Sequence, residues 1–326
     1  VGSGATPIDW PGGNSSLRLM NTTRDGVTFS GAISSVNSAD RDLELFGPGS
    51  YIFNTPMVSV TGAGLIRTRL NTTGRVTFNR SAVTNTRGID MDQGTVLINA
   101  PHPFTAPGQT DGVLEIAGGN LQSADSAFTT GGNALQMSLV LSDRYGVIDG
   151  THSIEFVGQS SRNNSFEGNS YLNGNGSQMV TNNLLSGASL SFGLRPVFLA
   201  SAGDTAVRTM YLAGSGATNI NVPIVNGGTL SSNLSYLGVG GIMNLSGVST
   251  YTGSTTLGAG TTTLYSSGGQ LSGTSGVTLN QGAVLTLDSF NTVNGVIGAN
   301  ASASRLGSKP LSLNGGTVNL IANAAG

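Results

Sequence analysis

The sequence has no cysteine, a single lysine (Lys309), one tryptophan and two histidines in 326 residues. The missing cysteine excludes a disulfide framework and any thiolate metal site. Charge is also scarce: Asp, Glu, Lys and Arg make up 9% of the chain and the net charge is -2, against roughly 25% charged residues in an ordinary soluble domain. That leaves no basic stripe to follow a phosphate backbone, so nucleic acid is not an expected partner. No apolar run approaches the ~18 to 20 residues of a spanning helix. The densest run, Leu194 to Ala202, is interrupted by Arg195 and Pro196, so no transmembrane segment is expected. The 10 prolines and the absence of a three-residue glycine period exclude collagen. Helix-forming Ala, Leu, Glu, Lys and Arg are too thin for a helical bundle. A disordered chain would pair low hydrophobicity with high net charge, whereas hydrophobic residues are 37% here.

What the chain has in excess is glycine, 50 residues, together with Ser, Thr and Asn, and these point to an all-β protein. A short unit recurs in which apolar residues alternate and Gly or Asn follows. It stands at Val27-Thr28-Phe29, Tyr51-Ile52-Phe53, Val76-Thr77-Phe78, Val96-Leu97-Ile98 and Leu114-Glu115-Ile116. It returns at Ile154-Glu155-Phe156, Met210-Tyr211-Leu212, Met243-Asn244-Leu245, Val277-Thr278-Leu279 and Leu311-Ser312-Leu313. Over the first hundred positions the units start roughly 17 to 25 residues apart, a repeat-protein spacing. Period two turns one side of each strand inward, and the Gly or Asn that follows tolerates the positive φ of a turn. Such a strand cannot bury its apolar side alone, so the units must stack. Asn-Gly pairs at Asn173, Asn175, Asn226, Asn294 and Asn314 would suit hairpins, but the longer spacing favours coils of two or three strands. The expected fold is an all-β, right-handed parallel β-helix (β-solenoid) with irregular loop insertions. At about 22 residues per coil and ~4.8 Å per stacked strand, its roughly 14 or 15 coils would make a rod about 70 Å long.

The organisation expected along the chain has three parts, most simply joined as one continuous solenoid. Residues 1–20, with Trp10-Pro11, are an N-terminal cap or a continuation of coils upstream. Residues 21–205 are divergent coils with a surface loop near 159–178, and residues 206–326 are more regular coils. Neither end resembles a translation start or a natural stop, and no charged-then-apolar leader precedes residue 1. The chain therefore reads as a processed form or a segment of something longer.

The stretch Met243-Asn244-Leu245-Ser246-Gly247-Val248-Ser249-Thr250-Tyr251-Thr252-Gly253-Ser254-Thr255-Thr256-Leu257-Gly258-Ala259-Gly260-Thr261 resembles the autotransporter-associated β-strand repeat of bacterial passenger domains. It follows that pattern of apolar strand, Ser-Gly corner, Thr-Tyr-Thr-Gly turn and Thr-rich strand ending in Gly-Thr. Gly227-Gly228-Thr229-Leu230, Gly282 to Leu287 and Leu306 to Val318 are similar to it as well, so the resemblance is clearest over residues 212–320. It implies a right-handed parallel β-helix exported to the cell surface, and it carries no catalytic residues to transfer. Residues 1–205 share only the style, with Thr28-Phe29-Ser30-Gly31 the best fragment, and no outer-membrane barrel follows within the chain.

Chemistry-bearing residues are few. His102, between Pro101 and Pro103, reads as a turn residue. His152 follows Asp149-Gly150-Thr151 with Asp143 near in sequence; an aspartate could orient its ring as in a triad, but no nucleophile is marked. Asp90 and Asp92 would share one strand face, as would Asp40, Asp42 and Glu44. Stacking could align these into an acid pair or a calcium site. Against that, Arg41, Arg67, Arg69, Arg75, Arg80 and Arg87 share the region and suit solvated ion pairs. No Gly-Gly-x-Gly-x-Asp calcium repeat occurs. Gly214-Ser215-Gly216 lacks the helix a phosphate loop requires and reads as a turn. The sequons at Asn71 and Asn79 are expected by chance in so Asn-, Ser- and Thr-rich a chain. Tyr171, Tyr236 and Tyr251, taken as exposed aromatics, could stack on sugar rings or pack at corners between coils.

No catalytic, cofactor-binding or metal-ligating residue is therefore assigned, and no cofactor is expected. The leading expectation is an extracellular, cell-surface structural or adhesive rod. Its partners would be further copies of itself, end to end or laterally, or cell-surface glycan ligands. The alternative is a β-helical polysaccharide hydrolase or lyase using the clustered carboxylates.

Overall fold

The computed structural model describes residues 8–9, 16–23, 25–31, 33–35, 41–55, 57–59, 66–80, 88–100, 113–123, 134–135, 138–141, 145–158, 164–165, 178–200, 204–289 and 304–321. Among these there is no helix: the regular structure is β-strand, and the strands that pair side by side are parallel. All ten alternating units read from the sequence lie within strands. The chain divides into two compact units, Val1–Val140 with Tyr145–Asn163, and Leu141–Arg144 with Asn164–Gly326.

In the first unit the strands form three rows that the chain visits in turn. The first row holds Ile8–Asp9, Ile33–Ser35 and Met57–Ser59. The second holds Leu17–Met20, Arg41–Gly47, Ile66–Thr72, Gly88–Met91 and Val113–Ile116. The third holds Val27–Phe29, Tyr51–Phe53, Arg75–Phe78, Thr95–Ile98, Asn120–Ser123 and Tyr145–Gly150. Partners lie one circuit of the rows apart, Val76 on Val96 and Leu121 on Ile148. This arrangement is compatible with the coil expected from the sequence. Strands that look alike in sequence do not all share a row: Leu114-Glu115-Ile116 belongs to the second, Val96-Leu97-Ile98 to the third. Residues 8–9 and 17–20 pair as strands rather than standing apart from the stack. Trp10-Pro11 lies outside the described residues.

The alternation of each strand sends one set of side chains into continuous apolar columns. Leu45, Leu70, Met91 and Ile116 stack through the second row, all buried. Val76, Val96, Leu121 and Ile148 do the same in the third. Phe29, Phe53 and Phe78 form a stack of rings, with centroids 4.7 and 4.9 Å apart and interplanar angles of 16° and 6°. The residue that leaves each of the strands Tyr51–Phe53, Arg75–Phe78 and Thr95–Ile98 is an asparagine, and the amides form their own ladder. Asn79 Nδ2 donates to Asn54 Oδ1 at 2.7 Å and Asn99 Nδ2 to Asn79 Oδ1 at 2.6 Å.

The second unit repeats the scheme. Asn164–Ser165, Val197–Phe198 and Ile224–Val225 form one row. Gln178–Leu184 and Thr209–Ala213 begin a second, and Ser189–Phe192 and Ala217–Ile220 a third. The long strands Asn233–Leu245 and Thr255–Leu264 each serve both of these rows. Between the two halves of Asn233–Leu245 the register shifts around Leu237. Val277–Asn280 with Leu311–Asn314, and Ala283–Asp288 with Thr317–Ile321, complete the rows. Of the segment 159–178, residues 164–165 form a strand and Gln178 opens the next one; its other residues are outside those described.

Replacing Phe53 with Ala removes the middle ring of the stack and is expected to cost about 3–5 kcal/mol, with Phe53→Leu costing less. Denaturant unfolding of the two variants beside the unmodified protein measures both.

Candidate functional site

The outward side of the second row in the first unit carries the densest charge. The register places Arg18, Glu44, Arg69, Asp90 and Glu115 in one column across five successive strands. Beside it Asp42 stands opposite Arg67. The inward neighbours Leu43, Leu45, Leu70, Ile89, Met91, Leu114 and Ile116 are buried, so the charged residues are held on the outer face by strand alternation alone.

At one end of the column opposite charges meet. Arg67 grips Asp42 with two hydrogen bonds, Nε to Oδ1 and Nη2 to Oδ2, both 3.0 Å. Arg69 Nε lies 3.3 Å from Asp42 Oδ2, and Arg18 Nε 2.7 Å from Glu44 Oε2. The Asp42 carboxylate holds the Arg67 guanidinium above its ordinary range, chiefly through that hydrogen bond. At the other end Asp90 faces Glu115, with Asp92 nearby. Partial burial, then the charges of Glu115 and Asp92, push the Asp90 carboxyl up to about 6, while Arg69 and Arg67 pull it down less strongly. Asp90 and Glu115 have no salt-bridge partner among the described residues. Asp90 and Glu115 stand opposite each other on adjacent parallel strands, the kind of juxtaposition that a pair of catalytic carboxyl groups requires. A carboxyl that keeps its proton beside one that has lost it is the elementary form of an acid/base pair.

The sequence pointed to part of this column. Asp42 and Glu44 do share an outward face, and Asp90 stands in the same column as Glu44. Asp92 falls just beyond the strand Gly88–Met91. Asp40 and Arg87 lie outside the described residues, as does the side chain of Arg41. Glu115 was not singled out as an acid; its signal is the one-circuit offset that sets it on Asp90, visible only once the two strands are aligned.

The remaining candidates are bound up in structure. His152 Nδ1 lies 2.9 Å from Thr151 Oγ1, and its backbone exchanges hydrogen bonds with Ser123 Oγ. Asp149 accepts from Asn120 Nδ2 at 2.6 Å. Ser123 thus serves the backbone rather than acting as a nucleophile. His102 and Asp143 lie outside the described residues. Asn79 has its side chain in the asparagine ladder. Gly214-Ser215-Gly216 is a corner over the buried Asn182, whose Nδ2 donates to Ala217 O at 2.8 Å and Thr218 Oγ1 at 3.0 Å. Gly214 has φ +100°, and a Cβ there would come within 2.1 Å of the Asn182 carbonyl oxygen, so glycine is required by backbone approach and not by a phosphate.

The tyrosines correct the sequence reading. Tyr236 and Tyr251 are not exposed: both are fully buried in the second unit, so neither offers a face to a sugar ring. Tyr251 Oη contacts Thr255 Oγ1 at 2.5 Å, Thr255 contacts Thr274 Oγ1 at 2.9 Å, and Thr274 donates to Gly253 O at 2.7 Å. Tyr236 points its hydroxyl at the backbone of Gly238, where a Cβ would lie 2.1 Å from it. Burial raises both phenols far above their ordinary range. Both therefore pack at corners, the alternative to sugar stacking. Tyr171 lies outside the described residues.

No group of three or more His, Asp or Glu among the described residues is placed to hold a metal ion. No helix among them is long and apolar enough to cross a membrane. No protein-family model, curated protein or solved structure matches the chain.

Asp42→Asn removes the charge that holds two guanidiniums and is expected to destabilise the first unit by about 1–2 kcal/mol, between the values of exposed and buried ionic hydrogen bonds. Chemical unfolding at low and at high salt tests this. An unchanged midpoint at low salt would mean that Arg67 and Arg69 do as well in water.

Proposed function

We propose that the chain is an extracellular structural or adhesive protein, a right-handed parallel β-helical rod displayed on a bacterial cell surface. The observation that carries this reading is the column-by-column parallel register, maintained strand after strand in each unit. Such pairing converts sequence into length and stiffness, and presents rows of Thr, Ser and Asn to solvent. The resemblance of residues 212–320 to autotransporter-associated repeats favours export, and low charge favours close approach of copies. Many weak contacts along a rod add to firm attachment. End-to-end stacking of copies into a fibre would cover the open strand edges of such a coil.

Electron microscopy of the purified protein tests the reading. Thin rods, singly or joined into fibres, are expected, and rounded particles without a long axis would overturn it.

A second reading, a polysaccharide hydrolase or lyase, draws on the Asp90–Glu115 pair. It requires release of reducing or unsaturated ends from an acidic or neutral glycan panel, lost in Asp90→Asn and in Glu115→Gln while both variants remain folded. If the unmodified protein releases none, the pair is not catalytic on those substrates.

A further inference from the structure

We propose that the junction between strands Gly88–Met91 and Val113–Ile116 is a proton-operated latch, closed by a proton held at Asp90 beside Glu115 and loosened when that proton leaves.

The geometry leaves the two carboxyl groups no other relief. Asp90 and Glu115 are direct register partners. The other sides of the same strands bury Ile89 and Met91 against Leu114 and Ile116. Sliding one strand by a residue would separate the acids but would turn that strand's two buried apolar side chains to water. Rotating the pair apart is opposed by the backbone ladder. The charges that face Asp90 from the packed elements are Arg67 and Arg69 on Ile66–Thr72, Glu115 on Val113–Ile116, and Asp92 on its own side. Both arginines are already drawn to Asp42, Arg67 through two bonds and Arg69 at 3.3 Å. Asp90 and Glu115 therefore stand side by side, with Asp92 nearby and with the two arginines that face Asp90 shared with Asp42, and a proton is the smallest positive charge that can enter.

The sign follows from the direction of the shift. The Asp90 carboxyl is raised from 3.8 to about 6 in the folded chain, so between those values the folded form holds a proton that the unfolded chain has released. The junction is most stable in mild acid and loses that stability as pH rises through about 6. The raised Asp90 carboxyl thus makes this junction open toward neutrality, opposite to the usual salt-bridged carboxylate.

The test is amide hydrogen exchange of the full chain, corrected for the intrinsic pH dependence, followed in peptides covering residues 88–92 and 113–116. At pH 7.5 the junction should open more often than at pH 5, by up to about tenfold for a shift of this size. Asp90→Asn, which keeps the shape and removes the charge, should hold the pH 5 protection at both values. Glu115→Gln should move the transition down toward the ordinary carboxylate range. Thermal unfolding gives a second readout: the midpoint should fall from pH 5 to pH 7.5 in the unmodified protein, and by less in Asp90→Asn. Equal protection of these peptides at the two pH values, or a pH dependence of their protection that is undiminished in Asp90→Asn, would overturn the latch.

Discussion

Everything in this protein depends on the in-register parallel pairing of short strands. A parallel ladder fixes each residue directly above its counterpart one circuit earlier, so the side chains form columns rather than an interdigitated core. A column tolerates residues that like their own kind: aliphatic on aliphatic, ring on ring, amide on amide. Phe29, Phe53 and Phe78 illustrate this, with nearly parallel rings spaced at about the distance between strands. So does the ladder of Asn54, Asn79 and Asn99, where each amide donates to the one before it. Neither group would gain as much from a single partner in an ordinary core.

The corners between rows meet the opposite demand, because there the backbone must turn while its polar groups stay satisfied. In both units buried or half-buried polar side chains take over where the ladder stops. Asn21 donates to Asp25 O and Ser50 O in the first unit, and Asn182 does the same service in the second. Thr72 donates to Gly47 O, and Thr274 to Gly253 O. Arg305 is the extreme case: buried and without a carboxylate bond, it donates through its guanidinium to Ser266 O, Gly269 O and Asp288 O. An arginine in that position closes a corner with three carbonyls at once, which no shorter side chain could reach. Glu44, Glu155, Arg208 and Asp288 are buried as well, so the few charges of this chain are not confined to its surface.

The strands were legible in the sequence because alternation and the following Gly or Asn are local signals, and every alternating unit forms a strand. The rows were less legible. Val96-Leu97-Ile98 and Leu114-Glu115-Ile116 carry the same pattern yet stand in different rows, since nothing local says which of two consecutive strands repeats its predecessor. The site suffered most from this. Asp42, Glu44 and Asp90 could be named as acids on outward faces, but the partnership of Asp90 with Glu115 depends on register across one circuit. Tyr236 and Tyr251 failed for a related reason: the residues beside them in sequence do not show what covers the ring, and in the stacked structure both are buried.

The same rule that builds the fold also produces an electrostatic conflict. Columns repeat position, not sign, so charges on an outward face meet whatever the next circuit supplies. From Arg18 to Asp90 the signs alternate and the column is self-neutralising; at Glu115 the alternation fails. An isolated surface carboxylate would swing into water, but Asp90 is partly buried and sits on a strand whose register is fixed by four apolar residues behind it. In the latch proposed above, protonation meets the conflict below about pH 6 and strand opening meets it above. That distinction separates a catalytic reading of the pair from a mechanical one. An acid/base pair needs a substrate bond brought between the two groups and is indifferent to how tightly the strands are joined. A latch needs no substrate, and its effect lies in the strand pairing itself.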